Sequence, residues 1–134
     1  MTIWDRIHRR PFLIDSGADE CVYPATNQDL SRPRSAPLVA ANGTAIDTFG
    51  KKTLQLSFAP GHTISQSFWI AQVRRPILGA NFFIDHRILI DLPNRRLLDN
   101  AARPFLGRPA GWPTVSGLHR PSGGPFEALS LIHI

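Results

Sequence analysis

One cysteine, Cys21, stands in the 134 residues, so no disulfide can form within the chain. A lone thiol fits a reducing compartment such as the cytoplasm better than an oxidising one. Long apolar runs are missing too. No stretch approaches the roughly 20 residues that span a bilayer. The opening Met1-Thr2-Ile3-Trp4-Asp5-Arg6 also lacks the apolar core of a signal peptide. A membrane is therefore not an expected partner. The five histidines, at 8, 62, 86, 119 and 133, include no pair three or four residues apart, which argues against a metal site. Neither common phosphate-binding loop is present, and there is no long amphipathic helix. Acidic residues are few: 10 Asp and Glu against 15 Lys and Arg leave a net charge of +5. The basic residues come as separated doublets, Arg9-Arg10, Lys51-Lys52, Arg74-Arg75 and Arg95-Arg96. A nucleic-acid surface would show a denser cluster with aromatics between the charges, so nucleic acid is not an expected partner. The doublets read as solvated strand ends or turns. Their charge favours acidic partners only through weak long-range attraction.

What is present suits one soluble domain. The length matches a single core that needs no disulfide or metal. Hydrophobic residues at 43% and charged residues at 19% are ordinary for such a domain. The chain divides near residue 100. Residues 100–134 hold five of the twelve prolines and five of the ten glycines, so they read as a linker or disordered tail. Residues 1–99 carry the fold.

Within 1–99, short β-type runs alternate with turn signals. Phe12-Leu13-Ile14 is a continuous apolar run that ends at Asp15 and a glycine, as a strand buried on both faces would. Leu38 to Phe49, interrupted by Asn42-Gly43, reads as a hairpin, because both residues tolerate positive φ. Leu54 to Phe58 alternates with period two, and Pro60-Gly61 turns the chain. Ser67 to Val73 and Pro76 to Gly79 are further strands. Asn81 to Asp85 reads as one helical turn, and 87–98 as a terminal hairpin. The expected fold is all-β: a small closed barrel or sandwich with at most one short helix.

The chemistry-bearing stretch is Phe12-Leu13-Ile14-Asp15-Ser16-Gly17-Ala18-Asp19. A carboxylate at the end of an apolar strand is costly to bury alone. Ser16 places a hydroxyl beside it. Gly17 lets the backbone turn tightly and bring amide N–H groups to its oxygens. A bare Asp-Ser-Gly is more often an ordinary turn. Context changes that: three large apolar residues precede it, an Asn-Gly hairpin follows, and Ile77-Leu78-Gly79 repeats the apolar-apolar-Gly pattern. Asn42-Gly43 alone fits an ordinary surface hairpin equally well. Cys21 reads as a small buried residue rather than a nucleophile.

Taken together, these stretches resemble the retropepsins, the dimeric aspartic proteases of retroviruses and LTR retrotransposons, and most closely the retrotransposon branch. Residues 12–19 match the family's hydrophobic-hydrophobic-Asp-(Thr/Ser)-Gly-Ala-(Asp/Glu) motif. Leu38 to Gly50 resembles the flap hairpin, and Pro76 to Phe83 the element leading into the family's short helix. The likeness covers about residues 10–99. It implies an aspartic endopeptidase with a closed barrel-like acid-protease fold, acting on polypeptide without a metal or cofactor. Asp15 would be the catalytic carboxylate, with Ser16 and Gly17 in support. Ala18, Asp19 and the flap tip, Ala41, Asn42, Gly43 and Thr44, would contact the substrate. The motif occurs once, so the resemblance implies a homodimer in which two Asp15 residues meet.

Three departures stand out. Ala80 replaces an arginine that retroviral members use to bridge the residue at the Asp19 position. The tip is less rich in glycine, which implies a stiffer lid. Only 14 residues precede Asp15, so a truncated outer N-terminal strand is expected. The competing readings are a catalytically silent retropepsin-derived dimerisation or binding module and, more remotely, a basic nucleic-acid-binding β-domain.

Overall fold

The computed structural model describes residues 1–40 and 42–101, and the backbone of 104–106 and 132–133. Among the described residues, eleven strands and two short helices follow one another. They are β1 (Thr2–Asp5), β2 (Arg10–Ile14), β3 (Val22–Pro24), α1 (Asn27–Leu30), β4 (Ser35–Ala40), β5 (Ala45–Ala59), β6 (His62–Ala71), β7 (Ile77–Leu78), α2 (Ala80–Asp85), β8 (Leu89–Asp91), β9 (Arg96–Leu98), β10 (Pro104–Leu106) and β11 (Ile132–His133). Eight strands form one sheet in the order β1-β2-β7-β3-β6-β5-β4-β11, and β10-β9-β8 form a second. The large sheet curls until its edge strand β1 meets β5. There the Arg6 N–H donates to the Ser57 carbonyl at 2.7 Å and the Ser57 N–H donates to Asp5 Oδ1 at 2.7 Å.

The strand pair β2/β7 lies inside the large sheet, between β1 and β3. It is parallel, with Leu13 opposite Ile77 and Ile14 opposite Leu78. Successive side chains of a strand point to opposite faces. Phe12 and Leu78 accordingly enter one buried cluster, with Phe58, Phe68 and Phe82, while Leu13 and Ile77 enter a second with Ala18, Val22 and Leu38. The run Phe12-Leu13-Ile14 is apolar throughout because both faces of β2 are covered. Phe12 meets Phe58 and Phe68 edge-on at centroid separations of 6.0 and 5.9 Å, a favoured aromatic geometry.

Several elements differ from the sequence reading. An N-terminal strand forms within the few residues ahead of Asp15: β1 pairs along its length with β2, from Thr2–Leu13 to Asp5–Arg10. A helix not expected from hydrophobic periodicity, α1, brings the short helices to two rather than at most one. A capping box forms it: the Asp29 N–H donates to Thr26 Oγ1, and the Thr26 N–H donates to Asp29 Oδ2 at 2.9 Å. β5 is a single 15-residue strand, where the sequence suggested two. It continues through Gly50, which has φ +86°, and its pairing with β6 shifts register between Thr48 and Lys51. Beyond residue 99, β10 pairs with β9 and β11 with β4, so these five residues hold ladders that the tail's composition did not suggest. The rest of the 100–134 segment lies almost wholly outside the described residues.

Candidate active site

Asp15 stands one residue past the end of β2. Its N–H extends the β2/β7 ladder to the Leu78 carbonyl at 3.0 Å. The chain then reverses. The Gly17 N–H donates to Asp15 Oδ1 at 3.1 Å, and the Ala18 N–H donates to the Asp15 carbonyl at 3.1 Å. Residue 17 therefore brings its amide to the carboxylate, as the sequence suggested. The Asp15 side chain is buried, with only 7% of the residue exposed, while Ser16, Gly17 and Asp19 are exposed around it. The acid is thus held in a fixed position beneath a turn whose neighbouring residues face solvent.

The loop of residues 15–20 is braced from below by the start of α2. The first amides of a helix have no partner inside it. Here the Ala80 N–H donates to the Ala18 carbonyl at 2.7 Å, and the Asn81 N–H donates to the Asp19 carbonyl at 3.2 Å. The approach is so close that only glycine fits at 79: a Cβ there would lie 2.4 Å from the Glu20 carbonyl oxygen. Topology explains the contact. β7 pairs with β2 on one side and β3 on the other, so the loop joining β2 to β3 must cross β7 where it leaves the sheet. Ile77-Leu78-Gly79, read from sequence as core, is thus core that ends in a platform for the loop.

Cys21 closes the loop from within. It is 1% exposed, and its Sγ donates to Asn81 Oδ1 at 3.2 Å. Burial pushes the thiol up to about 12, against the opposing effect of backbone hydrogen bonding from Gly79 and Phe82. The sulfur is therefore protonated at neutral pH and is not a nucleophile.

The β4–β5 hairpin carries the remaining predicted residues. At its tip the Ala40 N–H donates to the Thr44 carbonyl at 2.9 Å and the Gly43 N–H donates to the Ala40 carbonyl at 2.8 Å. Gly43 takes the left-handed conformation, φ +85°, and Asn42 uses its side chain instead, Oδ1 accepting from the Thr44 N–H at 2.9 Å. The tip is a three-residue loop rather than the two-residue Asn-Gly turn that the sequence signalled. Asn42, Gly43 and Thr44 are exposed; Ala41 lies outside the described residues. The arms of the hairpin approach the loop through Leu38 and Ile46, which pack in the same cluster as Leu13 and Ala18. Asp15 to Asp19 are thus brought into one turn, and the hairpin shares their supporting core.

With this geometry in place, comparison with solved structures is decisive for the fold. The crystal structure of the retroviral protease-like domain of Ddi1 from Leishmania major superposes with a TM-score of 0.57, covering 82% of this chain and 96% of that one at 20% identity. The fold is retropepsin-like. EIAV protease in complex with the inhibitor HBY-793 is also similar, with a TM-score of 0.45 at 19% identity, over 63% of this chain and 84% of that one. In sequence, no protein-family profile and no curated protein matches the chain.

The residues that sequence reasoning missed belong to this retropepsin-like frame rather than to its motif. Asn81 supports the loop from α2 through the Cys21 thiol. Trp69, on β6, donates its indole N–H to Glu20 Oε2 at the far end of the loop. Their sequence positions, 60 and 49 residues from their partners, carry no local signal. Among the described residues no three His, Cys, Asp or Glu side chains are grouped so as to hold a metal ion.

Proposed function

We propose that the chain is an aspartic endopeptidase that works as a homodimer, with one Asp15 from each copy forming the catalytic pair. The observation that carries this reading is the Asp15 carboxylate, buried in a backbone-braced turn whose neighbouring residues are open to solvent. Asp-Ser-Gly occurs once in the chain, so a pair of such acids needs two copies.

Two carboxyl groups held close together cannot both ionise readily, and they share a proton, as paired aspartates in aspartic proteases do. The ionised Asp15 takes a proton from a water molecule whose oxygen attacks the scissile carbonyl carbon. The partner's Asp15 gives its proton to the carbonyl oxygen. The tetrahedral adduct then collapses. Its C–N bond breaks as the amide nitrogen receives a proton, leaving a carboxylic acid and an amine. Ser16 and Gly17 hold the base of the cleft, Asp19 lines it, and the tip at 41–44 closes over the polypeptide to exclude water. Ala18, expected from the sequence to touch substrate, is 0% exposed and instead packs in the core behind the turn. Processing of a retroelement polyprotein in the cytoplasm is the setting we assign.

The test is cleavage of a peptide library by the wild-type chain and by Asp15→Asn, with sedimentation run in parallel. Cleavage that appears with the dimer and vanishes in Asp15→Asn supports the proposal. Undiminished cleavage in Asp15→Asn overturns it. A strict monomer without activity at any pH favours the silent binding module instead.

A further inference from the structure

The loop of residues 15–20 is held at three places. Asp15 is tied to β7, and the carbonyls of Ala18 and Asp19 are tied to the first amides of α2. The third tie is a side-chain contact from another strand: the Trp69 indole N–H donates to the Glu20 carboxylate. Trp69 stands on β6 opposite Val22 of β3, immediately beyond the loop, and its N–H donates to the Cys21 carbonyl at 3.0 Å. It is therefore fixed to three successive residues where the chain leaves the loop, Glu20, Cys21 and Val22. The ring is itself held. Lys51 is its cross-strand partner on β5, and the Lys51 Nζ lies 4.7 Å from the ring centroid. A cation rests on the face of the indole while a carboxylate takes its edge N–H, and both contacts match the charge distribution of the ring. A hydrogen bond to a charged acceptor is stronger and more directional than a neutral one.

We infer that Trp69 is a positioning residue for the peptide-binding part of the cleft: through Glu20 it sets the end of the loop that presents the exposed Asp19 to substrate. This rests on the endopeptidase reading above. The tie lies at the Glu20 end, whereas Asp15 is fixed separately at the other end through Leu78 and Gly17. Loosening Glu20 therefore changes how a peptide is held more than how its bond is broken. Lys51 acts one step further out, by holding the ring.

Trp69→Phe is the discriminating variant, because it keeps an aromatic face under Lys51 and deletes the N–H. It raises KM for a cleaved peptide about fivefold and leaves kcat within about twofold, the pattern for lost binding rather than lost transition-state contacts. Glu20→Ala does the same, and combining the two adds nothing further, as for partners in one contact. Glu20→Gln, which keeps an acceptor oxygen, recovers most of the affinity. A packing role alone would lower the melting temperature without separating KM from kcat. An unchanged KM in Trp69→Phe, or additive effects of the two variants, overturns the inference. A second measurement needs no activity: solvent exchange of the Trp69 indole proton, read by NMR in the full Asp15→Asn chain. Exchange that accelerates on adding Glu20→Ala supports the tie even in a chain that cleaves nothing, where the endopeptidase reading alone would fail. Unchanged exchange overturns the tie whatever the activity.

Discussion

Two aspartates close the ends of neighbouring strands, Asp5 on β1 and Asp15 after β2, and both are buried, at 0% and 7% exposure. Their surroundings differ. Asp5 Oδ1 accepts the N–H groups of Ile7, at 3.3 Å, and Ser57, at 2.7 Å, while Oδ2 accepts the His8 N–H at 2.7 Å and meets His8 Nδ1 at 2.5 Å. These partners come from its own turn and from β5, so Asp5 is a joint that ties β1 across the curled sheet. Asp15 accepts from Gly17 within a turn whose rim is exposed. A buried acid thus signals an energetic cost that something must offset, but does not by itself signal chemistry. The acid sewn into two distant elements is structural, and the acid under an open rim is the catalytic candidate.

The contrast breaks or sharpens at definite points. Asp15→Asn should cost about a thousandfold or more in peptidase activity, as loss of a general acid–base pair does. Its urea midpoint should stay close to that of the parent. An Asp15→Asn chain that unfolds would make Asp15 a joint like Asp5. Gly79→Ala should be nearly as severe for a different reason, since the new Cβ has backbone, not a mobile side chain, in its way. We expect a loss of about 3 kcal/mol or more, visible as a lower thermal midpoint together with weaker peptide binding. Asp5→Asn should lose about 2–3 kcal/mol, because an amide cannot accept from every donor that the carboxylate serves. Activity per folded molecule should survive, and a chain of unchanged stability but no activity would invert the comparison.

A third buried acid gives the smaller effects. Asp29, 2% exposed, receives the Lys52 ammonium at 2.8 Å. The Lys52 hydrogen bond, followed by the Thr26 amide, holds its carboxyl down to about 2 from an ordinary 3.8. The folded state therefore favours the ionised form. The resulting stability is complete above pH 3.8 and is lost as pH falls through about 2. Lys52→Met should lower stability at pH 6 and flatten the acid loss in that window, as followed by urea titration at stepped pH. An undiminished slope would place the acid sensitivity elsewhere. Thr26→Ala should cost about 1 kcal/mol through loss of the α1 cap, measured at neutral pH.

The β2–loop–β7 unit is legible in the sequence because its signals are local. Phe12-Leu13-Ile14 is apolar on both faces, Asp15-Ser16-Gly17 turns, and Ile77-Leu78-Gly79 stops at the one residue that lets the chains cross. The flap hairpin is legible for the same reason, although its tip closes one residue wider than Asn42-Gly43 suggests. β1 and β3 are hidden. Thr2–Asp5 is short and mixed in character, and Val22–Pro24 spans three residues, so each becomes a strand only through the neighbour that pairs with it. α1 was available as Thr26-x-x-Asp29 but has no apolar period to announce it. The doublets Arg9-Arg10 and Arg74-Arg75 look scattered along the chain, yet the Arg10 guanidinium reaches the Arg74 carbonyl at 3.5 Å.

The sequence by itself determined the turn that buries Asp15, the glycine that frees its amide, and the single copy of Asp-Ser-Gly. These rest on backbone conformation and on apolar runs a few residues long, which neighbours in sequence control. Only the tertiary structure decided what holds that turn: the α2 amides beneath Ala18 and Asp19, the missing Cβ at Gly79, and the Trp69 indole on Glu20. It also decided that Asp5, unremarkable in the sequence, ties the turn after β1 to Ser57 on β5. Such partners lie about 50 to 60 residues from the groups they hold, and only the ordering of the sheet brings them together.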